Sequence, residues 1–318
     1  MFMMKVMSLL HSHPLCDILG HQIKDLTQMT VPTPRVSFEF FPPQSLEASF
    51  RLWDTLGTLA PLAPEFVSVT YGAGGTTRDL THDAVKTIHA NYGVKVAAHL
   101  TCVDATREET LAIADSYAEA GVNRIVALRG DPPKGADGFR AHPDGFASSV
   151  DLVKALADTG KFEIAVGAYP DPHPEADSLA ACVEYLKRKV DAGASTAITQ
   201  FFFEADTFFR FRDACADAGI GATIIPGILP IGNWTRVRNF ATRCGAIVPA
   251  WLDEAYAAAT RDGRESLLST ALCTELCTDL LEGGVEDLHF YTLNSPDLTR
   301  DVCAALGVTP RVTLAEVA

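Results

Sequence analysis

Glu39 lies in Phe38-Glu39-Phe40-Phe41-Pro42-Pro43, a carboxyl group set among aromatic and apolar neighbours. An ionised carboxylate is costly in such surroundings unless it is paired, so its pKa is expected to tend upward. A carboxyl that keeps its proton near neutrality can act as a general acid. The plain alternative is a glutamate that points to water or is salt-bridged. Arg129-Gly130-Asp131-Pro132-Pro133 joins a guanidinium fork suited to phosphate or a carbonyl, a glycine that permits close backbone approach, and a second carboxylate. Its plain reading is a structural loop with a local Arg–Asp pair. Tyr71-Gly72-Ala73-Gly74-Gly75-Thr76-Thr77 is rich in backbone amides that can meet a ligand or an anion. No lysine follows its glycines, so it is not a Walker loop. Gln200 stands before Phe201-Phe202-Phe203, an amide suited to the donor and acceptor edge of a heterocycle. Lys187, Arg188 and Lys189 close a helix, where the dipole alone favours cations.

These residues need elements to position them. From Val36 onward, short β-branched or aromatic runs alternate with longer stretches rich in Ala, Leu and charge. The runs are 36–41, 66–71, 95–101, 124–130, 163–169, 196–202, 222–227 and 288–293. Helices are expected at 46–60, 79–92, 106–120, 145–158, 177–192 and 205–218, with extra ones near 234–243, 250–259 and 264–282. In the third, Thr106 caps, Glu108 and Glu109 suit the N-terminus, and Gly121 ends the helix. Eight such units predict a parallel (β/α)8 barrel, with the extra helices before the last strand. The competing doubly wound sheet lacks a G-x-G-x-x-G after its first strand. Active sites of such barrels sit at the C-terminal strand ends. Glu39, Thr70, Tyr71, His99, Thr101, Arg129, Asp131, Tyr169, His173, Gln200, Tyr291 and Asn294 fall there. The seventh run ends in Pro226-Gly227 and offers backbone instead.

The chain has 318 residues, 47% of them hydrophobic and 21% charged, enough for one sizeable core and unlike a disordered chain. One catalytic domain is expected over 36–310, behind a loosely attached leader of residues 1–35. With 26 basic and 40 acidic residues, the net charge of −14 opposes general binding to nucleic acid or anionic lipid. No apolar run reaches the roughly 20 residues of a membrane helix. The first ten residues carry one lysine and lead to His11, His13 and Cys16, a poor match to a signal peptide. The eight cysteines include no C-x-x-C pair, and although Cys273 and Cys277 share a helix face, no cluster completes a metal site. Buried reduced thiols in a cytoplasmic protein are expected.

With these motifs in hand, the chain resembles the 5,10-methylenetetrahydrofolate reductases in their short bacterial form. The matching segments are VSFEFFPP, FVSVTYGAGGTTRDLTH, AAHLTCVDAT, GVNRIVALRGDPP, GAYPDPHPEA, LKRKVDAGASTAITQFFF, IIPGILPI and LHFYTLN, in family order from Val36 to Gly307. FEFFPP, ALRGD and AITQFFF together are highly specific. The resemblance implies a (β/α)8 flavoprotein that holds FAD across the strand ends. It takes hydride from NADH, or NADPH, and passes it to methylenetetrahydrofolate in a ping-pong cycle that supplies methyl groups for methionine. It implies Glu39 as the acid that opens the folate's five-membered ring. Asp131 would stabilise the resulting iminium and tune the flavin. Gln200 would bind the pterin edge, and Phe240 would pack on the substrates. Thr70 matches a nicotinamide-side contact. Tyr71, Ala73, His99, Arg129, Gly130, Asp131, Tyr169, His173 and Lys189 match positions that hold FAD, which favours a phosphate role for Lys189. A homo-oligomer is also expected.

Some positions depart from the family pattern. Ser148 and Ser149 stand where some members carry tyrosine and alanine. Cys182 replaces an aspartate, and Tyr185 a smaller polar residue, beside the FAD ribose. Phe208 replaces a substrate-contacting tyrosine. Ser295 replaces an arginine that could meet the folate's carboxylate tail. Altered affinity rather than an altered reaction is expected. The chain ends soon after the eighth unit, so feedback by S-adenosylmethionine through a following domain is not expected. Three other readings compete. A Schiff-base lyase would need a lysine at a strand end, and the inferred ends have none. A non-catalytic flavin or folate binder would have no use for Glu39. A flavin-dependent amine oxidase, as in proline dehydrogenases, would need a different pocket.

Overall fold

The computed structural model describes residues 32–311, apart from 72–76, 132–134 and 136–137. The expected leader, 1–35, therefore lies almost wholly outside the described residues. The strands are β1 (Arg35–Phe40), β2 (Val67–Val69), β3 (Val96–Thr101), β4 (Arg124–Leu128), β5 (Glu163–Ala168), β6 (Thr196–Thr199), β7 (Thr223–Ile225), β8 (Gly227–Ile228) and β9 (Asp287–Tyr291). All pair in parallel, in the order β7-β6-β5-β4-β3-β2-β1-β9-β8. Only Pro226 separates β7, beside β6, from β8, beside β9. The nine segments are thus the eight staves of a TIM barrel, the seventh interrupted. Proline has no N–H for the ladder. Its carbonyl still accepts from the His289 amide at 3.0 Å, and the Gly227 amide donates to Thr199 Oγ1 at 2.9 Å.

The helices are α1 (Leu46–Leu59), α2 (Arg78–Tyr92), α3 (Arg107–Glu119), α4 (Ser149–Asp158), α5 (Leu179–Asp191), α6 (Ala205–Asp217), α7 (Trp234–Cys244), α8 (Ala250–Arg261), α9 (Glu265–Glu282) and α10 (Pro296–Ala305). Their starts follow local chemistry. Ser45, Ser148, Ser178 and Asn233 each accept a backbone N–H in the first turn. Thr106 and Glu109 form the reciprocal capping box that opens α3. Helix α4 begins at Ser149 rather than at 145, because Ser148 is its cap and the preceding stretch is loop. The extra helices α7 to α9 fill the gap between β8 and β9, as expected.

Strand parity sorts the side chains into layers. Val36, Phe38, Phe40, Val96, Ala98, Leu100, Leu288 and Phe290 face outward into the core shared with the helices. Phe66, Ala97, Val126, Ala165, Ile198 and Ile225 form a smaller cluster with Leu128 and Tyr291. By the same alternation Ser37, Glu39, His99, His289 and Tyr291 belong to the interior face. A third cluster packs Phe201, Leu229 and Ile231 against α7 and α8.

Candidate active site

Glu39 is the penultimate residue of β1, on the interior face near its C-terminal end. His99 approaches from β3, its Nε2 3.3 Å from Glu39 Oε2. His289 approaches from β9, its Nε2 3.7 Å from the same oxygen. Neither Nε2 has a hydrogen-bond partner elsewhere. Burial pushes the Glu39 carboxyl up, but His289 and His99 outweigh that effect and hold it down at about 2. This corrects the upward shift expected from the flanking residues. The neighbours in sequence are apolar, whereas two strands distant in sequence bring imidazoles to the carboxylate.

Among the described residues, those expected to hold a cofactor lie on the loops after β2, β4 and β5, within β3 (His99), at the start of α4 (Ser148, Ser149) and on α5. Thr70 donates its amide to the Phe40 carbonyl at 2.9 Å, tying the end of β2 to β1. Tyr71 is half-buried, and its hydroxyl accepts from Arg78 Nε at 2.8 Å. Ala73 lies outside the described residues. Gly130 has φ +86°, and a Cβ there would meet Thr101 Cβ at 2.9 Å, so the backbone presses against β3 as only glycine allows. Thr101 Oγ1 is buried with no partner. Arg129 is forked onto Glu175, with one N–H donating at 3.1 Å, and Asp131 is exposed.

Tyr169 meets His173 edge-on at 4.7 Å, and the His173 amide donates to Cys182 Sγ at 3.4 Å. Burial drives the Tyr169 hydroxyl up to about 12 and lowers the His173 imidazole. Lys189 is 5% exposed, and its ammonium donates to the Gly167 carbonyl. Burial lowers it to about 8. A buried ammonium with one neutral partner is poised for an anion. Its Nζ lies 5.3 Å above the Tyr185 ring, whose hydroxyl is 3.1 Å from Ser149 Oγ. Three of the departing positions thus meet here: Tyr185 touches Ser149, and Ser148 caps the same helix.

The residues expected to meet substrate divide. Gln200 follows β6, and its Oε1 accepts from the Phe201 amide at 3.1 Å. Phe240 on α7 stacks on Phe201 at 5.5 Å. It lines a pocket of about 720 Å³ with Phe41, Arg236, Val237, Asn239, Arg243 and Leu293. Ser295 is exposed at the start of α10, and its side chain makes no cap bond. Phe208 is only 1% exposed and stacks on Phe202 at 5.7 Å inside the helix-facing core, away from that pocket.

His289 and Ser37 escaped the sequence reading, and Asn294 was read only as a polar residue after the last strand. His289 stands two residues before Tyr291, so strand parity alone could have placed it on the interior face beside Glu39. Ser37 is its register neighbour, with Oγ 2.8 Å from His289 Nδ1. Asn294, flagged only as polar, clamps the mouth. Its Oδ1 accepts from the Phe41 amide at 2.9 Å, and its Nδ2 donates to the Phe41 carbonyl at 3.0 Å. Leu293 and Asn294 adopt φ of 50° and 52°, a strained backbone typical of functional loops. Among the described residues the cysteines are free thiols, and no group of His, Cys, Asp and Glu is arranged to hold a metal.

Comparison with known proteins converges on one family. The methylenetetrahydrofolate reductase family model matches residues 24–307. The chain is 45% identical to the 5,10-methylenetetrahydrofolate reductase of Escherichia coli, over 86% of this chain and 91% of that protein. It is 45% identical to that of Pectobacterium carotovorum, over 87% and 91% respectively. It is 36% identical to methylenetetrahydrofolate reductase (NADH) 1 of Arabidopsis thaliana, over 86% of this chain but 48% of that protein. A solved protein from Clostridium thermocellum, described as binding two copies of 5-methyl-5,6,7,8-tetrahydrofolic acid, superposes with a TM-score of 0.55. It covers 92% of this chain at 14% identity, a likeness of fold. On the family match and the bacterial relatives together, this chain belongs to the methylenetetrahydrofolate reductase family of oxidoreductases.

Proposed function

We propose that this chain reduces 5,10-methylenetetrahydrofolate to 5-methyltetrahydrofolate in two half-reactions, using a bound FAD and NADH, with NADPH as the other candidate reductant. The observation that carries the reading is the buried carboxyl of Glu39 at the barrel mouth, with two imidazoles able to share its proton. The residues fit a flavin dinucleotide. Lys189 is a buried cation held by the Gly167 carbonyl and the Tyr185 ring with no charged partner, and Thr101 Oγ1 is a buried hydroxyl with no hydrogen-bond partner. Bound FAD would supply the hydride carrier that links the two half-reactions.

The chain supplies charge, position and a proton. Lys189 and Arg129 offset the cofactor's phosphate charge, and release of Arg129 from Glu175 frees its fork. Tyr71, His99, Tyr169 and His173 wall the cofactor. Ser148, Ser149, Cys182 and Tyr185 complete that wall with uncharged groups. Thr70 flanks the nicotinamide. Gln200 swings its amide from the Phe201 backbone to the pterin edge. Phe240, backed by Phe201, packs on the aromatic part of the folate. Glu39 protonates the ring nitrogen that leaves the one-carbon unit. Asp131 places negative charge beside the iminium carbon formed as the ring opens. The product carries the methyl group on toward methionine.

One cuvette tests this. The purified protein should show a flavin spectrum that bleaches with NADH under anaerobic conditions and returns when methylenetetrahydrofolate is added. A colourless protein that FAD cannot reconstitute would remove the flavin chemistry. A flavin that bleaches but does not recover with the folate would remove the substrate.

A further inference from the structure

The pocket beside the barrel mouth has an uneven lining. Its apolar part is Phe41, Val237, Phe240 and Leu293. Its charged part is Arg236 and Arg243, and among the described residues it has no carboxylate. Phe41 directly follows β1 and Leu293 closely follows β9, so the pocket opens off the strand ends that carry Glu39 and Tyr291. Helix α7 supplies both arginines. Positions 236, 240 and 243 are four and three apart and share one face, which sets Phe240 between two guanidinium groups. At 1.5 Å per residue the two arginine Cα atoms stand about 10 Å apart. Arg243 also lies over the Phe240 ring, 5.9 Å from its centroid. Both arginines are exposed, and neither has an acidic partner among the described residues. Arg238, on another face of the same helix, pairs with Asp253 at 3.0 Å. Cations left unpaired on a pocket wall, in a chain of net charge −14, suit an anionic ligand.

The anions that the proposed reaction brings are the phosphates of the dinucleotides and the two carboxylates of the folate. The lining separates them. A dinucleotide's phosphates are flanked by ribose hydroxyls, which gain nothing from apolar side chains. The folate's carboxylates follow a benzoyl ring with only an amide between, so an apolar floor with guanidinium groups beyond it matches that end of the molecule. The turn after β9 offers no cation for the task, because Ser295 is uncharged and Asp297 follows it. We propose that Arg236 and Arg243 bind the carboxylate tail of the folate, with its benzoyl ring on Phe240 between Phe41 and Leu293. This rests on the reductase reading above and deepens it, placing the tail's anchor on a face of α7 rather than at the end of the last strand. Each guanidinium can take a carboxylate through two parallel N–H bonds. Asn239, in the same lining, adds an amide within the pocket. Anchoring the tail on α7 fixes how far the reacting ring reaches toward Glu39, so the two arginines set affinity and placement together.

Calorimetry on the purified protein with FAD added, using 5-methyltetrahydrofolate as the probe, tests this. Arg236→Gln and Arg243→Gln change exposed side chains and should each weaken binding by roughly tenfold or more. The same probe without its glutamate, 5-methyltetrahydropteroate, should bind the parent more weakly than the folate does, and should bind parent and variants alike. The NADH concentration that half-saturates flavin reduction, read by rapid mixing, should shift less than twofold. Folate binding within twofold of the parent in either variant overturns the proposal. So does an equal loss for the pteroate, which would make the effect structural. A loss confined to NADH also overturns it, because the arginines would then serve the dinucleotide's phosphates. A parent that binds no folate removes both the anchor and the reductase reading. A parent that binds the folate and loses it in the variants, yet does not reoxidise its reduced flavin with methylenetetrahydrofolate, keeps the anchor and removes the reductase reading alone.

Discussion

At the scale of single residues, Glu39 and Lys189 are opposite cases of burial. Glu39 gains partners, so its pKa falls from an ordinary 4.5 to about 2. Its contribution to stability is present above pH 4.5 and is lost as pH falls toward 2. Glu39→Gln should therefore lower the melting temperature at neutral pH, with a difference that shrinks in acid. It should keep its flavin and its reduction by NADH, while the folate step drops by about 10²-fold or more. Near-normal folate turnover would remove Glu39 from its role. Lys189 gains no charged partner, so its pKa falls from 10.5 to about 8. The unfolded chain binds more protons between those values, so stability should rise as pH climbs from about 8 to 10.5. Lys189→Met should stabilise the cofactor-free protein at pH 7, by up to about 3 kcal/mol. It should also weaken FAD retention. Thermal melts and flavin content measure the two effects, and a variant that melts lower would contradict the buried-cation account.

At the scale of elements, the seam between β6, β8 and β9 closes the barrel. A Cβ at Gly227 would lie 2.1 Å from the Thr199 carbonyl oxygen and 2.6 Å from Tyr291 Cε2. Tyr291 also donates its hydroxyl to that carbonyl at 2.6 Å. The obstacles are a backbone carbonyl and the Tyr291 ring, which its hydroxyl bond to that same carbonyl holds in place, so neither can yield cheaply. Gly227→Ala should cost about 3 kcal/mol or more, at or beyond the upper end of ordinary overpacking. A denaturant melt with an unchanged midpoint would show that the seam relaxes. Thr106→Ala removes the capping box of α3, whose bonds run only to Glu109, and should cost about 1 kcal/mol, read as a lowered denaturant midpoint. The helices were readable from sequence because caps and 3.6-residue periodicity are local. The split of the seventh strand was not, because Pro226 breaks the ladder only once β6 and β9 lie on either side of it.

At the scale of the whole molecule, a net charge of −14 would oppose the approach of the proposed ligands, which are themselves anions. At low salt the field reaches about 30 Å, and near physiological ionic strength about 8 Å. Association of NADH and of the folate should therefore quicken as salt is raised over that range. Rapid-mixing rates that instead fall with salt would mean that Arg129, Lys189, Arg236 and Arg243 dominate the field at the mouth. Arg236 and Arg243 line the pocket beside Phe240 and Leu293.

Taken by itself, the sequence determined the eight-unit barrel, the order of its elements, most helix boundaries, and the strand ends where Glu39, His99, Arg129 and Gln200 would gather. These depend on alternation, capping and motif, which act over a few residues. The tertiary structure decided the protonation chemistry of Glu39. Its flanking residues are apolar and pointed to a raised pKa, but β3 and β9 carry His99 and His289 to within 3.3 and 3.7 Å of its oxygen. Tertiary packing also drew Phe208 into the core, tied Arg129 to Glu175 and left Lys189 buried on a carbonyl. A side chain's charge state follows from every group within a few ångströms, and in a barrel those groups come from strands far apart in the chain.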